Sequence, residues 1–235
     1  MIDSPGERVL GRDRRVLARL ITAIEAGDPA AEPIIVEIME SDRVARRVGI
    51  TGPPGAGKST LVNAMVTELR ARGDEVAVLA VDPSSPITGG ALLGDRIRMQ
   101  DHVDDPGVYV RSMASRGHLG GLAAAAAPTI SVLARAGFDM VIVETVGVGQ
   151  SEIEVMDLVD VVVLVLGPGW GDQIQANKAG IVEVTDVFVI NKGDRPGVDI
   201  VHRALLESVG DSDTPIMVTT ALTGEGVAAL VDAVR

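Results

Sequence analysis

The chain has 235 residues and a formal net charge of −12, from 21 Lys and Arg against 33 Asp and Glu, and it contains no cysteine. The acidic balance argues against nucleic acid or an anionic membrane as the main partner, because both require a basic surface, and without cysteine there are no disulfides or thiolate metal sites. No signal-peptide core opens the sequence and no apolar run approaches the roughly 20 residues of a membrane helix, so we expect a soluble, cytoplasmic protein.

Residues 1–46 are predicted to form a short N-terminal helical extension. Apolar residues recur at spacings of three, four and seven from Val9 to Ile24, which predicts one amphipathic helix over residues 8–26. The sequence Gly-Asp-Pro at 27–29 ends this pattern. A second short helix should follow, with apolar residues on one side at Ile34, Ile35, Ile38 and Met39.

From Arg47 onward, short β-branched runs alternate with segments of helical length. The runs span 47–51, 75–81, 107–111, 139–144, 160–166, 186–190 and 215–219. They are continuously apolar rather than alternating, which is typical of strands covered on both faces. The pattern predicts one three-layer α/β domain over residues 47–235, with a mostly parallel sheet of about seven strands and helices on both faces. We interpret the alanine-rich stretch 123–128 as a helix packed closely on this sheet.

A glycine-rich segment, GPPGAGKST, follows the first predicted strand. Its spacing of Gly, four residues, then Gly-Lys-Ser is that of a phosphate loop, and a helix should follow it. Glycines let several N–H groups point at one phosphate, and the helix adds its positive end. We expect Lys58 to contact the β- and γ-phosphates and the Ser59 hydroxyl to bind Mg²⁺. A glycine-rich turn without a ligand is the alternative. The predicted nucleotide-binding residues here are Gly52, Pro53, Pro54, Gly55, Ala56, Gly57, Lys58, Ser59 and Thr60.

The strand over 186–190 runs into Asn191-Lys192-Gly193-Asp194. The Asp194 carboxylate can accept hydrogen bonds from N1–H and the N2 amine of guanine, whereas adenine offers neither donor on that edge. We therefore predict GTP rather than ATP, with the Lys192 stem along the base and Asn191 joining this loop to the phosphate loop. After the last strand, a backbone N–H could reach the guanine carbonyl, or the segment could be an ordinary turn: Thr219, Thr220 and Ala221.

A buried strand ends in an acid at Glu144, and Gly147 follows three residues later. In phosphate-loop enzymes an acid at such a strand end holds Mg²⁺ directly or through water, and the glycine N–H contacts the γ-phosphate. We therefore predict that Lys58, Glu144 and Gly147 are catalytic and that Glu144 also serves the metal. A carboxylate that caps a helix starting near residue 151 is the alternative. Gln150 lies three residues beyond Gly147 and is assigned no role.

Two further loops are candidates for segments that respond to the nucleotide. The second strand ends at Asp82, ahead of a stretch rich in Pro, Ser and Gly, and such a loop beside a metal site is typical of a switch. Asp82 is a candidate metal ligand, whereas Asp95 either binds the metal through water or begins a helix.

The second of these loops, residues 167–178, follows the strand over 160–166, which we expect to neighbour the strand ending at Glu144. The single tryptophan, Trp170, either meets a partner, covers the site or packs on the surface. Asp172 and Lys178 either pair across a turn or face solvent.

Five segments together resemble the methylmalonyl-CoA mutase-associated GTPases of the MeaB/ArgK type: GITGPPGAGKST, LAVDPSSPITGGALLGDRIRM, FDMVIVETVGVGQSE, GDQIQANKAGI and INKGD. They cover most of residues 48–194. The resemblance implies a GTP-binding and GTP-hydrolysing chaperone of an adenosylcobalamin-dependent acyl-CoA mutase, which gates loading of the cofactor and protects the mutase. It also implies that Asp82, Asp95 and Glu144 match the family's metal and hydrolysis acids. Asp172 and Lys178 match polar residues of its third switch.

Other functions are less consistent with the sequence. Members of the family usually continue beyond the position of Arg235 with helices that form the homodimer. Without that segment we do not expect this chain to dimerise in the family's manner, and a monomer or a different homodimer both stay open. A nickel- or zinc-delivering GTPase shares the Glu-x-x-Gly acid but uses Cys clusters or His-rich tracts, and here His102, His118 and His202 are scattered. Asp194 argues against an ATP-using small-molecule kinase. A binding module without turnover stays open, because no water-positioning Gln adjoins the Glu-x-x-Gly glycine.

Overall fold

The apolar runs form a seven-stranded sheet in the computed structural model, which describes residues 3–82, 102, 104–114, 121–145, 147, 154–170, 183–210 and 212–235. Each strand covers most of its predicted range. The strands are β1 (Arg46–Thr51), β2 (Val76–Asp82), β3 (Val108–Ala114), β4 (Met140–Thr145), β5 (Val161–Leu166), β6 (Val187–Asn191) and β7 (Ile216–Thr219).

The sheet has the order β3-β2-β4-β1-β5-β6-β7, and every neighbouring pair in it is parallel. Carboxyl ends of parallel strands meet at one edge, so the segments that follow β1, β4, β6 and β7 come together there. The expectation that β5 neighbours β4 is wrong. The first strand, β1, pairs with β4 on one side and with β5 on the other, and therefore separates them.

The N-terminal segment forms two helices where the periodicity predicts one over residues 8–26. They are α1 (Pro5–Leu10) and α2 (Arg14–Ala26), and a 3₁₀ turn at Pro29–Ala31 leads into α3 (Glu32–Met39), the short helix that was expected. The single-helix prediction is wrong because Asp13 caps α2, its carboxylate accepting the amides of Arg15 and Val16. Just before it, Arg12 has a left-handed φ of 63°, which no α-helix accommodates.

Helices cover both faces of the sheet, as the continuous apolar runs predict. Within the described residues, the other helices are α4 (Lys58–Ala71), α5 (Gly121–Arg135), α6 (Val198–Val209) and α7 (Val227–Val234). Because successive strand residues point to opposite faces, Val78 and Ile142 pack with α4 and α7, whereas Leu79 and Val143 pack with α5. The alanine-rich stretch is thus part of a helix on the sheet, and the result is the expected three-layer α/β fold.

The N-terminal helices share a core with the sheet. Leu17, Ile21 and Ile38 are fully buried and belong to the same cluster as Leu79 and Val141. Ion pairs join the layers at their rim, between Arg111 and Glu25 and between Arg12 and Glu75. In the described part of the chain, no helix is long and apolar enough to cross a membrane.

Candidate functional site

The phosphate loop connects β1 to α4 at the carboxyl edge of the sheet. Gly52, Gly55 and Gly57 have φ values of 145°, 79° and 94°, in the region that favours glycine. A Cβ on Gly52 would lie 2.1 Å from the carbonyl oxygen of Val165 in β5, and one on Gly57 would lie 2.5 Å from the Asn191 amide nitrogen. Backbone freedom and close packing therefore both require glycine at these two positions.

Lys58 lies at the start of α4 with only 6% of its surface exposed. Its Nζ donates hydrogen bonds to the carbonyl oxygens of Gly52, at 2.7 Å, and Pro53, at 3.1 Å. The ammonium group is therefore held inside the curl of the loop, beside the helix end that carries the positive dipole. This combination is suited to binding phosphate.

Ser59, in the first turn of α4, meets Glu144, near the end of β4. The Ser59 hydroxyl donates to Glu144 Oε1 at 2.6 Å, and Glu144 is buried at the end of β4. This contact follows from the pairing of β4 with β1, which sets Ile50 opposite Glu144. A hydroxyl and a carboxylate are the hard oxygen donors that Mg²⁺ prefers, so the pair fits such an ion. The alternative in which Glu144 caps a helix concerns a segment outside the described residues.

Two buried threonines, which the sequence analysis did not select, support the turn after Glu144. Thr51 ends β1 and Thr145 ends β4, and neither side chain is exposed. The Thr51 hydroxyl donates to the carbonyl oxygen of Gly147 at 3.0 Å, and the Thr145 hydroxyl contacts the Thr51 hydroxyl at 3.1 Å. These hydroxyls fix Gly147 beside the phosphate loop. No local sequence pattern marks them, because their hydroxyls meet only through the pairing of β1 with β4.

Asn191 joins the predicted base-binding loop to the phosphate loop, as the sequence predicts. Its Nδ2 donates to the carbonyl oxygens of Ala56, at 3.1 Å, and Gly57, at 3.3 Å. Its Oδ1 accepts from the Thr219 hydroxyl at 3.2 Å and the Ala221 amide at 3.1 Å. One buried side chain thus connects three segments that are far apart in sequence.

Lys192 makes a second link to the phosphate loop. Its backbone has a left-handed φ of 63°, and its Nζ donates to the carbonyl oxygen of Gly55 at 2.6 Å. The adjoining Gly193 donates its amide to Thr219 at 2.9 Å, and a Cβ there would lie 2.8 Å from Val218. The glycine therefore allows the loops after β6 and β7 to pack against each other.

A cavity lies between these loops and the phosphate loop. It is lined by Gly57, Thr60, Asn191, Lys192, Asp194, Arg195, Thr220, Ala221 and Leu222. Arg195 and Leu222 were not selected from the sequence. The amide of Thr220 donates to Glu225 at 2.9 Å and the amide of Ala221 to Asn191, so both amides have protein partners.

Several predicted residues lie outside the described residues. They are Asp95, Asp172, Lys178 and Gln150, together with the side chain of Asp82 at the end of β2. Trp170 is described: it is half-buried and packs against the cluster that contains Phe188, which agrees with a surface-packed ring. Within the described residues, no three His, Cys, Asp or Glu side chains group closely enough to hold a metal ion.

Comparison with known sequences identifies a family. The family model described as Methylmalonyl Co-A mutase-associated GTPase MeaB matches residues 17–235. A GTPase from Pyrococcus horikoshii is 49% identical over 244 residues, which cover 100% of this chain and 77% of that protein. GTPase ArgK from Escherichia coli is 43% identical over 186 residues, covering 77% of this chain and 56% of ArgK. The mitochondrial methylmalonic aciduria type A homolog from Caenorhabditis briggsae is 38% identical over 203 residues, covering 80% of this chain and 49% of that protein.

Solved structures agree with the fold. The crystal structure of a LAO/AO transport system kinase matches with a TM-score of 0.77 and 30% identity, over 100% of this chain and 75% of that one. HypB from Helicobacter pylori, solved in complex with nickel, matches with a TM-score of 0.62 over 84% of this chain and 90% of HypB. Because the identity is only 16%, this match supports the fold alone. Since the family model matches most of the chain and similar proteins are named as GTPases, this chain belongs to the methylmalonyl-CoA mutase-associated GTPase family MeaB.

Proposed function

We propose that this GTPase is a chaperone of an adenosylcobalamin-dependent acyl-CoA mutase, with methylmalonyl-CoA mutase or a relative as its client. In this role it gates loading of the cofactor and protects the mutase from inactivation. The family match over residues 17–235 carries the proposal, because its description associates these GTPases with that mutase. The name of the Caenorhabditis briggsae relative supports it. A cytoplasmic location is part of the proposal.

The phosphates of GTP are proposed to bind at residues 52–60. The loop leads into the N-terminus of α4, whose first amides carry partial positive charge, and Lys58 adds a buried positive charge. Thr60 follows in the first turn of α4 and lines the adjacent cavity. Binding of GTP would draw the Lys58 ammonium from the carbonyl groups of Gly52 and Pro53 toward the β- and γ-phosphates.

Ser59 and Glu144 are proposed to hold Mg²⁺. Their oxygens, 2.6 Å apart, are both ligands of the kind this ion takes. A bound Mg²⁺ would offset charge on the β- and γ-phosphates. We propose Asp82 and Asp95 as further acids of this centre, on the basis of the sequence.

Hydrolysis is proposed to depend on Glu144 and Gly147. Glu144 is buried beside the phosphate loop, where its carboxylate can accept a hydrogen bond from the attacking water. Gly147, held by Thr51, is proposed to offer its amide to the γ-phosphate. Because no glutamine adjoins Gly147 to orient the water, we expect slow hydrolysis by the chain alone.

Guanine is proposed to bind in the cavity that Asp194 lines. The Asp194 carboxylate pairs with N1–H and the N2 amine, and the Lys192 stem lies along the ring. The loop of Thr219, Thr220 and Ala221 closes the same cavity from β7. Asn191 keeps this loop, the base loop and the phosphate loop in one arrangement.

The test of the proposal measures GTP turnover with and without an adenosylcobalamin-dependent methylmalonyl-CoA mutase encoded in the same genome. The mutase should accelerate turnover, and a stabilisation of the reactive arrangement by about 3 kcal/mol corresponds to roughly a hundredfold. With GTP present, the chain should also prolong mutase activity. Residues 167–178 are proposed to transmit the contact, so Lys178→Ala should bind the mutase but lose most of the acceleration.

Lys58→Ala is the control for this experiment, because it removes the charge that holds the phosphates and should abolish both effects. Equal acceleration in wild type and Lys178→Ala would remove Lys178 and its loop from the mechanism. If no cobalamin-dependent mutase changed GTP turnover and none were protected, the client would be a different protein.

A small-molecule kinase is the second candidate, because the similar crystal structure is described as a LAO/AO transport system kinase. The two activities differ in the fate of the γ-phosphate, which a GTPase releases to water and a kinase transfers to an acceptor. GTP labelled at the γ-phosphate, incubated with and without a cell extract as the source of acceptors, distinguishes them. We expect inorganic phosphate as the only labelled product. A labelled acceptor would favour the kinase.

A further inference from the structure

Thr51 lies at the point where the strand β1 becomes the phosphate loop. It is the last residue of β1, it is fully buried, and Gly52 follows it. Thr51 pairs with Leu164 of β5, and a Cβ on Gly52 would lie 2.1 Å from the carbonyl oxygen of Val165. The backbone at this position is therefore held by the central strands of the sheet, and a group that bonds to the Thr51 side chain has a rigid support.

Thr145 occupies the matching position on the neighbouring strand β4. It ends β4, is fully buried, and pairs with Val81 of β2. Because β4 lies between β2 and β1 in the sheet, both neighbours hold it in place. The hydroxyls of Thr145 and Thr51 therefore extend from two adjoining interior strands, and their oxygens are 3.1 Å apart.

Each threonine hydroxyl has one hydrogen to donate, which limits how the two can be arranged. The Thr51 hydroxyl donates to the carbonyl oxygen of Gly147 at 3.0 Å. The Thr145 hydroxyl then donates either to the Thr51 oxygen at 3.1 Å or to the Gly147 carbonyl oxygen at 3.3 Å. In both arrangements the two hydroxyls hold the Gly147 carbonyl at the carboxyl ends of β1 and β4.

Gly147 needs such a support because a glycine backbone rotates more freely than that of any other residue. Its amide N–H is the group proposed to contact the γ-phosphate, and ordering a free backbone when that contact forms would cost conformational entropy. A carbonyl that is already anchored removes part of this cost before the nucleotide binds. Only GTP gains from the anchor, because GDP has no γ-phosphate for the amide to meet.

We infer that Thr51 and Thr145 are positioning residues that set the preference of this site for a nucleoside triphosphate over a diphosphate. The inference depends on the proposed contact between Gly147 and the γ-phosphate. Thr51 has the larger effect, because its hydrogen bond to the carbonyl is the shorter of the two. Loss of either hydroxyl weakens binding of the triphosphate alone, whereas a general disturbance of the phosphate loop weakens binding of both nucleotides.

The experiment measures the affinities for GDP and for GTPγS, a slowly hydrolysed triphosphate, by calorimetry with Mg²⁺ present. Thr51→Val replaces the hydroxyl with a methyl group of similar size and leaves a buried carbonyl short of a donor. It should weaken GTPγS binding by about tenfold and change GDP binding by less than about twofold. Thr145→Val should weaken GTPγS binding by about threefold. Thr51→Ser, which keeps the hydroxyl, should restore the wild-type ratio of the two affinities.

The matched control is Thr129→Val, which makes the same change in α5. Thr129 is fully buried, and its hydroxyl has no hydrogen-bond partner in the described part of the chain, so both affinities should stay unchanged. Equal losses for GTPγS and GDP in Thr51→Val would mean that Thr51 only stabilises the phosphate loop. That result, or no loss for either nucleotide, would overturn the inference and leave the proposed nucleotide site in place.

Two further variants separate the remaining outcomes. Lys58→Ala tests the site itself, and wild-type affinity for GTPγS in that variant would overturn the proposed phosphate site and the inference with it. If Thr51→Val did not fold, Thr145→Val and Thr145→Ser would provide the same comparison. An equal ratio of GTPγS affinity to GDP affinity in those two variants would then overturn the inference.

Discussion

Gly52 and Gly55 lie three residues apart in the phosphate loop, but their surroundings differ. Both have positive φ, which costs an L-residue about 1–2 kcal/mol. A Cβ on Gly52 would also lie 2.1 Å from a backbone oxygen of β5, whereas one on Gly55 meets nothing within 4 Å. Gly52 is therefore required by the fold, and Gly55 by backbone geometry and by any ligand that enters the loop.

This difference predicts separate effects on stability and on binding. Gly52→Ala should lower the free energy of unfolding by more than about 3 kcal/mol, because β1 and β5 must separate to admit the methyl group. Gly55→Ala should cost only about 1–2 kcal/mol in stability but should still weaken GDP binding. Urea unfolding without nucleotide, together with calorimetry, measures both. Equal losses of stability would contradict the packing argument.

Glu144 and Ser59 provide a test of the proposed chemistry at the same scale. Glu144→Gln keeps an acceptor for the Ser59 hydroxyl, so the variant should fold and bind GTP. Without the negative charge, single-turnover hydrolysis should fall by about 10²–10³-fold, the loss typical of removing one group that stabilises the transition state. Glu40→Gln is the control, since it makes the same change on an exposed N-terminal position. Wild-type hydrolysis in Glu144→Gln would make Glu144 purely structural.

Residues of the site could be predicted where their spacing along the chain is itself the pattern. The loop of residues 52–60 and Asn191-Lys192-Gly193-Asp194 are local motifs, and the structure brings them together through Asn191. Thr51 and Thr145 could not be predicted, because their hydroxyls meet only when β4 pairs with β1. Long-range strand order is not encoded in the local spacing of residues. For the same reason, the position of Leu222 at the cavity could not be predicted from the sequence.

For helices and strands, the sequence predicts which elements exist and of what type better than it predicts the order of the strands in the sheet or the ends of the helices. Apolar runs are a local property, and the strands follow them. The pairing of β4 with β1 depends on how chain crossovers pack, so the expected neighbour of β4 was wrong. The helix over 8–26 was also wrong, because a periodic apolar face continued across a break that Asp13 imposes as a cap. A capping aspartate within an apolar periodic stretch therefore ends one helix and begins another.

The turn after β7 is an element whose role can be tested with two glycines. Gly224 and Gly226 have similar φ values of 80° and 75°, but a Cβ on Gly224 meets nothing within 4 Å, whereas one on Gly226 would lie 2.3 Å from Val218. Gly226→Ala should shift the turn and weaken GDP binding by more than about tenfold, since several lining residues move together. Gly224→Ala should change the affinity less than about twofold. Calorimetry on both variants decides the matter, and indistinguishable affinities would mean that the turn does not shape the cavity.

For the whole molecule, one buried core joins the N-terminal helices to the sheet. The division into an extension at 1–46 and a domain at 47–235 stays a prediction. Leu17 and Ile21 of the extension are nonetheless fully buried against the sheet. The opposite face has its own cluster around Leu61 and Leu230. Both layers are therefore expected to respond together when the sheet unfolds.

Acid should weaken one connection between layers before it disrupts the cores. Asp105 joins the segment before β3 to α4, accepting hydrogen bonds from Arg70 Nε at 2.9 Å and from the Gly107 amide at 2.7 Å. The Arg70 guanidinium, and then the Gly107 amide, hold the pKa of Asp105 below its usual value. A carboxyl whose pKa is lower in the folded state stabilises the protein above its unfolded-state pKa, about 3.9, and this stabilisation disappears as pH falls through the folded-state pKa.

The effect of Asp105→Asn on the free energy of unfolding should therefore depend on pH. At pH 7 we expect a loss of about 1 kcal/mol, because the pair is only partly buried. The loss should shrink below about pH 4 and vanish once Asp105 is protonated in the folded wild type as well. Asp104→Asn, which removes the same charge from the exposed neighbour, is the control and should cost little at either pH. Urea unfolding across this range measures the difference, and a loss at pH 2 equal to that at pH 7 would show that Asp105 acts through its shape rather than its charge.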